Sequence, residues 1–172
     1  SKALDEELIE DAIICKNDLE RNKLWEIREN AAENEKKELI NSHAKKCLKH
    51  DISLPINNIE KFHQETQKMI STKIKNTRTI FFGHLGDGNL HYNIFGNGKG
   101  DDGFENQSQK ITENLYKIIE KLNGSFSAEH GIGQLKKDNL KFFKDPVAYD
   151  LMKNIKNMID PKNIMNPGKI LI

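Results

Sequence analysis

Gly83-His84-Leu85-Gly86-Asp87-Gly88-Asn89-Leu90-His91 decides how the middle of this chain is read. An Asp-Gly pair flanked by strand-forming residues predicts a β-hairpin with a two-residue loop. Both loop positions of that turn need a positive φ, which Gly adopts freely and Asp tolerates. With Asp87 and Gly88 as the loop, Gly86 faces Asn89, Leu85 faces Leu90 and His84 faces His91. Opposed side chains on one face have Cβ atoms about 5 Å apart, close enough for two imidazoles to share one metal ion. Alternation along the strands puts Phe81, Leu85, Leu90, Tyr92 and Ile94 on one face, suited to packing on helices. Ile80, Phe82, His84, His91, Asn93 and Phe95 share the other, read as an exposed face with polar residues at its turn end.

Working outward, residues 4–14 and 18–40 read as helices, the second with Leu24, Ile27 and Ala31 on one side. Residues 47–54 read as a short strand ended by Pro55. Asn57 followed by Glu60 resembles a helix N-cap with its reciprocal partner, and apolar residues then recur at helical spacing from Ile59 to Ile74. Beyond the hairpin, residues 96–103 are loop-like, 105–122 helical, and Asn123-Gly124 a stop signal. Residues 125–129 read as a strand, followed by helices near 134–143 and 146–159 and an extended tail. From residue 46 to 129 the order is strand, helix, strand, strand, helix, strand. That is the ferredoxin-like βαββαβ order of an α+β fold, an antiparallel sheet with helices on one face, here with added N- and C-terminal helices. The predicted layout is a helical segment at 1–45, continuing from a region upstream, and a ferredoxin-like substrate- and metal-binding domain at 46–172. The chain opens at Ser1 without an initiator Met and reads as a piece of something longer.

Lys plus Arg number 27 against 26 Asp plus Glu, so no basic field selects nucleic acid or an anionic membrane as partner. No apolar run has the length of a membrane span. Cys15 and Cys47 belong to no CxxC pattern, and reduced thiols in a cytosolic-type compartment are the simpler reading.

Two histidines make an incomplete metal shell. Ser127-Ala128-Glu129-His130-Gly131-Ile132-Gly133 offers a third donor, Glu129, at the end of a predicted strand. Two imidazoles and a carboxylate leave coordination positions open for water or substrate. His130 points away from that set and suits proton abstraction near neutral pH. The competing reading is a surface hairpin with incidental histidines and an ordinary charged pair before a Gly turn. The glycines at 83, 86 and 88 lack the spacing and the strand-Gly-helix context of a phosphate loop. Asp101-Asp102 reads as a cap of the next helix, and His43, His50 and His63 read as solvated.

Together the hairpin motif, Glu129-His130-Gly131-Ile132-Gly133, and Asp160-Pro161 through Asn166-Pro167-Gly168-Lys169 resemble the C-terminal half of the FAD-linked 2-hydroxy-acid dehydrogenases. That family includes D-lactate dehydrogenases, the glycolate oxidase FAD subunit and D-2-hydroxyglutarate dehydrogenase. Leu24-Trp25-Glu26-Ile27-Arg28-Glu29 and Lys49-His50-Asp51-Ile52-Ser53-Leu54-Pro55 resemble its preceding segments. The resemblance implies a divalent metal, zinc or manganese, on His84, His91 and Glu129, with His130 as base. It implies Arg28 and Lys49 on the substrate carboxylate, and Asn93 beside the metal. It further implies a small 2-hydroxy acid as substrate, FAD bound by a domain outside this chain in cis or in trans, and a separate electron acceptor. A homodimer fits, as does a cytoplasmic location, peripheral at the membrane through the acceptor. The alternatives are a non-catalytic metal-binding module or subunit that has lost its flavin domain, and a non-haem iron oxygenase, which shares the two-His, one-carboxylate set.

Overall fold

The computed structural model describes residues 2–41, 47–75, 77–96 and 103–171. The chain divides into two compact units, residues 1–41 and 42–172.

In the first unit, α1 is a single turn, Lys2–Asp5. The expected helix over 4–14 stops there: Glu7 takes a positive φ of 55°, a left-handed backbone through which a right-handed helix does not continue. Asn17 then caps α2 (Asp18–Glu29), its side chain accepting the Glu20 N–H at 2.9 Å. The expected long helix breaks at Asn30, and α3 begins at Ala31 and runs to Asn41.

In the second unit, β1 (Cys47–Ser53) and α4 (Ile59–Ser71) precede the hairpin strands β2 (Arg78–Phe82) and β3 (Asn89–Phe95). Helices α5 (Phe104–Lys121), α6 (Lys137–Phe143) and α7 (Pro146–Ile159) follow. Among the described residues the strands form one antiparallel sheet in the order β1-β3-β2. The fold is α+β, as the element order predicts.

The expected fourth strand at 125–129 contracts to one antiparallel bridge, Ser53 to Ser125, on the free side of β1. Its two backbone bonds measure 2.9 and 2.8 Å. The ladder goes no further: the next donor on that edge, Ser127 N–H, turns to Ser125 Oγ at 3.3 Å, and those of Ala128, Glu129 and His130 are bound to the Asp51 carboxylate.

Helices α4 and α5 cover the sheet face that carries Ile52, Leu90, Tyr92 and Ile94. They do so with stripes one turn apart, Phe62, Thr66 and Ile70 on α4 and Ile111, Leu115 and Ile119 on α5, all fully buried. Each such apolar side chain contributes about 1.5–3 kcal/mol by leaving water. The Phe62 and Tyr92 rings meet edge to face at 5.0 Å. The Asn57 cap does not form; Asn58 is the residue before α4, and its side-chain amide donates instead to Leu122 O at 3.0 Å. Most of the 96–103 loop, Asp101-Asp102 and His43 lie outside the described residues.

The hairpin register differs from the two-residue loop. Phe82, not His84, pairs with His91, and Phe81 with Tyr92. A 3-10 turn over Leu85–Asp87 closes the loop, with Gly88 alone at positive φ, 64°. Asp87 therefore escapes the left-handed conformation, which costs an L-residue roughly 1–2 kcal/mol. The His84 carbonyl accepts the N–H groups of Asp87 at 3.1 Å and Asn89 at 3.2 Å, and the Gly88 carbonyl accepts that of Leu54 at 2.9 Å, which docks the loop on the end of β1. The slip is two residues, so the side chains within β2 and β3 keep their predicted faces, where a slip of one would have inverted them all; Leu85, expected to face the helices, lies in the turn and is exposed.

His50 is not solvated. It pairs with Tyr92 on the helix-covered face and is 3% exposed. His63 is also partly buried, its Nδ1 3.1 Å from the Tyr92 hydroxyl.

Candidate metal and substrate site

The other sheet face carries the chemistry. Register places Asp51 opposite His91 and Lys49 opposite Asn93 on β1–β3, with Phe82 and Ile80 across the hairpin. This face is not the open surface expected: Asp51, Asn89 and Asn93 are each 3% exposed. Part of its cover is the segment that follows the Ser125 bridge. Ser127 Oγ donates to Gly131 O at 2.8 Å, while Lys136 Nζ donates to Phe126 O at 3.0 Å and to Ser127 Oγ at 3.3 Å. Burial pushes the Lys136 pKa down, and the Asp51 charge opposes that.

Asp51 organises the segment. Its Oδ2 accepts three successive backbone N–H groups, from Ala128 at 3.1 Å, Glu129 at 2.9 Å and His130 at 2.8 Å. Its Oδ1 accepts the Asn89 amide at 3.2 Å. Burial drives the carboxyl pKa upward, but the three backbone donors and the nearby His130 outweigh it and leave the pKa below its ordinary value. Sequence reasoning passed over this residue. The available signal was an acid inside a strand with Ile52 beside it, a position where Asp is depleted and where a buried charge needs partners.

Glu129 projects from this held backbone between the two expected histidines. His84 Nε2 lies 3.6 Å from Glu129 Oε1, and His91 Nε2 lies 3.5 Å from Oε2. Thus His84 and His91 meet at Glu129 without facing each other across the hairpin. The His130 ring stacks on that of His91 at 5.6 Å, with its Nδ1 3.8 Å from Asp51 Oδ2. A tighter grouping also exists, in which donor atoms of Asp51, His91, Glu129 and His130 lie within 4.8 Å of one another. His84 belongs to the Glu129 pairing and not to that group.

Donors bound to one tetrahedral ion at about 2.1 Å stand about 3.4 Å apart, and each imidazole stands at about that separation, 3.6 and 3.5 Å, from its own oxygen of Glu129. Neutral imidazoles and a carboxylate also match zinc or manganese by donor type. Asn93 lies two residues from His91 on the same face, opposite Lys49. Arg28 is exposed in the last turn of α2, in the first unit. Gly83 and Gly88 are packed against the protein's own backbone: a Cβ at Gly88 would sit 1.9 Å from Leu54 O, and one at Gly83 2.2 Å from Asn89 O, while Gly86 between them faces open space.

The family model described as "FAD linked oxidases, C-terminal domain" matches residues 1–170. The chain belongs to that family. It is 34% identical over 161 residues to D-2-hydroxyglutarate dehydrogenase of Stutzerimonas stutzeri, covering 93% of this chain and 33% of that protein. It is 33% identical over 170 residues to the mitochondrial D-2-hydroxyglutarate dehydrogenase of Arabidopsis thaliana, covering 99% and 28%. For the Danio rerio enzyme of that name the values are 34% over 164 residues, 95% and 28%. The chain thus spans about a third or less of the length of these oxidoreductase relatives. Among the described residues, no helix is long and apolar enough to cross a membrane.

Proposed function

We propose that this chain is the substrate- and metal-binding part of an FAD-dependent D-2-hydroxy-acid dehydrogenase, acting on an acid of the lactate, glycolate or 2-hydroxyglutarate class. The overall reaction turns the 2-hydroxyl into a 2-keto group, with hydride passing to FAD held by a separate domain, in cis or in trans. What supports this most is the meeting of His84 and His91 at the two oxygens of Glu129, with His130 alongside, in a chain of the FAD-linked oxidase family.

In this reading His84, His91 and Glu129 hold a zinc or manganese ion. When bound, such an ion supplies Lewis acidity that lowers the pKa of a coordinated hydroxyl. His130 takes the proton of the 2-hydroxyl; its Nδ1 faces Asp51, so Nε2 is the nitrogen left for substrate. The Arg28 guanidinium matches a carboxylate in bidentate fashion, Lys49 adds a second positive charge, and Asn93 offers its amide beside the metal.

A helical segment at 1–45 and a ferredoxin-like domain at 46–172, a partner electron acceptor and a homodimer complete the proposal. Cys15 and Cys47, which form no disulfide, fit a reducing, cytoplasmic compartment, while the Arabidopsis and zebrafish relatives are named as mitochondrial.

The experiment is metal analysis of the purified chain and of His84→Ala. The wild type is expected to bind one divalent ion per chain, and the variant to lose it with its circular dichroism unchanged. Retained metal in the variant would sink the ligand assignment.

A further inference from the structure

The geometry points to Asp51 as the positioning residue of this site: one buried carboxylate sets the backbone that presents Glu129 and faces Nδ1 of both His91 and His130. The inference rests on the proposed roles of those three residues. Asp51 is not itself an outward-facing ligand. Its side chain is 2% exposed, three backbone donors fill Oδ2, and the Asn89 amide binds Oδ1.

Both imidazoles turn Nδ1 toward this anion, His91 at 3.9 Å from Oδ1 and His130 at 3.8 Å from Oδ2. His91 stands between two carboxylates, with Glu129 Oε2 3.5 Å from its Nε2, so Asp51 braces one edge of that ring and leaves the other to Glu129. For His130, a carboxylate facing Nδ1 favours the neutral tautomer that carries its proton there, which leaves Nε2 to receive a proton. The two rings stack at 25° between planes above this one carboxylate.

The test is backbone amide exchange in the metal-free 172-residue chain, read together with Mn²⁺ affinity. In the wild type, the amides of Ala128, Glu129 and His130, all three bound to Asp51, are expected to exchange slowly. In Asp51→Ala they should exchange fast and Mn²⁺ affinity should fall by about 10–100-fold, while the amide signals of the α4 and α5 core persist. Fast exchange of those three amides in the wild type overturns the inference, as does a variant that keeps slow exchange there and the wild-type Mn²⁺ affinity. The wild-type measurement needs no mutation, so a variant that fails to fold leaves the test intact. Wild-type chain that shows the expected protection yet binds neither Mn²⁺ nor Zn²⁺ removes the metal reading and supports the role of Asp51.

Discussion

Acidification should destabilise this protein through His50 before its carboxylates protonate. His50 lies between β3 and α5, its Nδ1 3.1 Å from Tyr92 O and its Nε2 3.1 Å from Thr112 Oγ1, with the Tyr116 ring edge-on at 6.0 Å. The neutral ring satisfies both contacts, donating through Nδ1 to the carbonyl and accepting the Thr112 hydroxyl at Nε2. Burial, with the Lys136 charge adding to it against the Tyr92 hydrogen bond, lowers its pKa from 6.5 to about 4. Between those values the unfolded chain binds a proton that the folded chain refuses. Stability from this group is therefore complete above about 6.5, declines as pH falls, and is gone below about 4. The full difference is about 3 kcal/mol, a large share of the 5–15 kcal/mol typical of a domain. Urea unfolding measured at intervals between about pH 7 and pH 4, on wild type and on His50→Gln, isolates it. Gln is neutral throughout, so wild-type stability should fall by about 3 kcal/mol more than that of the variant. Parallel curves would refute the reasoning.

Three further outcomes follow from other contacts. Gly88→Ala places a Cβ 1.9 Å from Leu54 O at a φ of 64°; thermal unfolding should show a loss of about 2 kcal/mol or more, and a near-neutral effect would contradict the docked turn. Phe62→Ala removes a fully buried ring packed on Tyr92 and should cost about 3–5 kcal/mol in urea titration. Asp160 accepts the backbone N–H groups of Ile164 at 3.0 Å and Met165 at 2.9 Å and pairs with Lys156, which holds its carboxyl pKa below the usual value. Asp160→Asn should speed amide exchange at Ile164 and Met165 without changing it in α4 or α5, and unchanged exchange there would show that the tail is held by other contacts.

Much of this was legible from spacing. Strand alternation assigned His91 and Asn93 to the face opposite Tyr92 and Ile94, and helical periodicity marked Phe62, Ile70, Ile111, Leu115 and Ile119 as core. Those patterns are local, because the repeat of a strand or helix is a property of its own backbone. The hairpin register was less legible. Asp-Gly suits a two-residue loop, but Leu54 donates to the Gly88 carbonyl, a contact that no window around residue 88 contains. His50 was misread for a similar reason: its neighbours Lys49 and Asp51 are polar, while its burial depends on Thr112 and Tyr116, far away in the chain.

The sequence by itself determined the α+β element order, the two-faced sheet and the residue types His84, His91, Glu129 and His130, since each follows from short-range periodicity or motif. Tertiary structure alone decided that the histidines meet at Glu129 instead of across the hairpin. It also decided that the last strand shrinks to the Ser53–Ser125 bridge and that Asp51 anchors the site. In each case the deciding contact joins segments far apart in the chain. Leu54 N–H binds the Gly88 carbonyl at the hairpin, and the Asp51 carboxylate, from a strand some 80 residues earlier, takes the N–H groups of Ala128, Glu129 and His130, a competition settled only when the chain is folded.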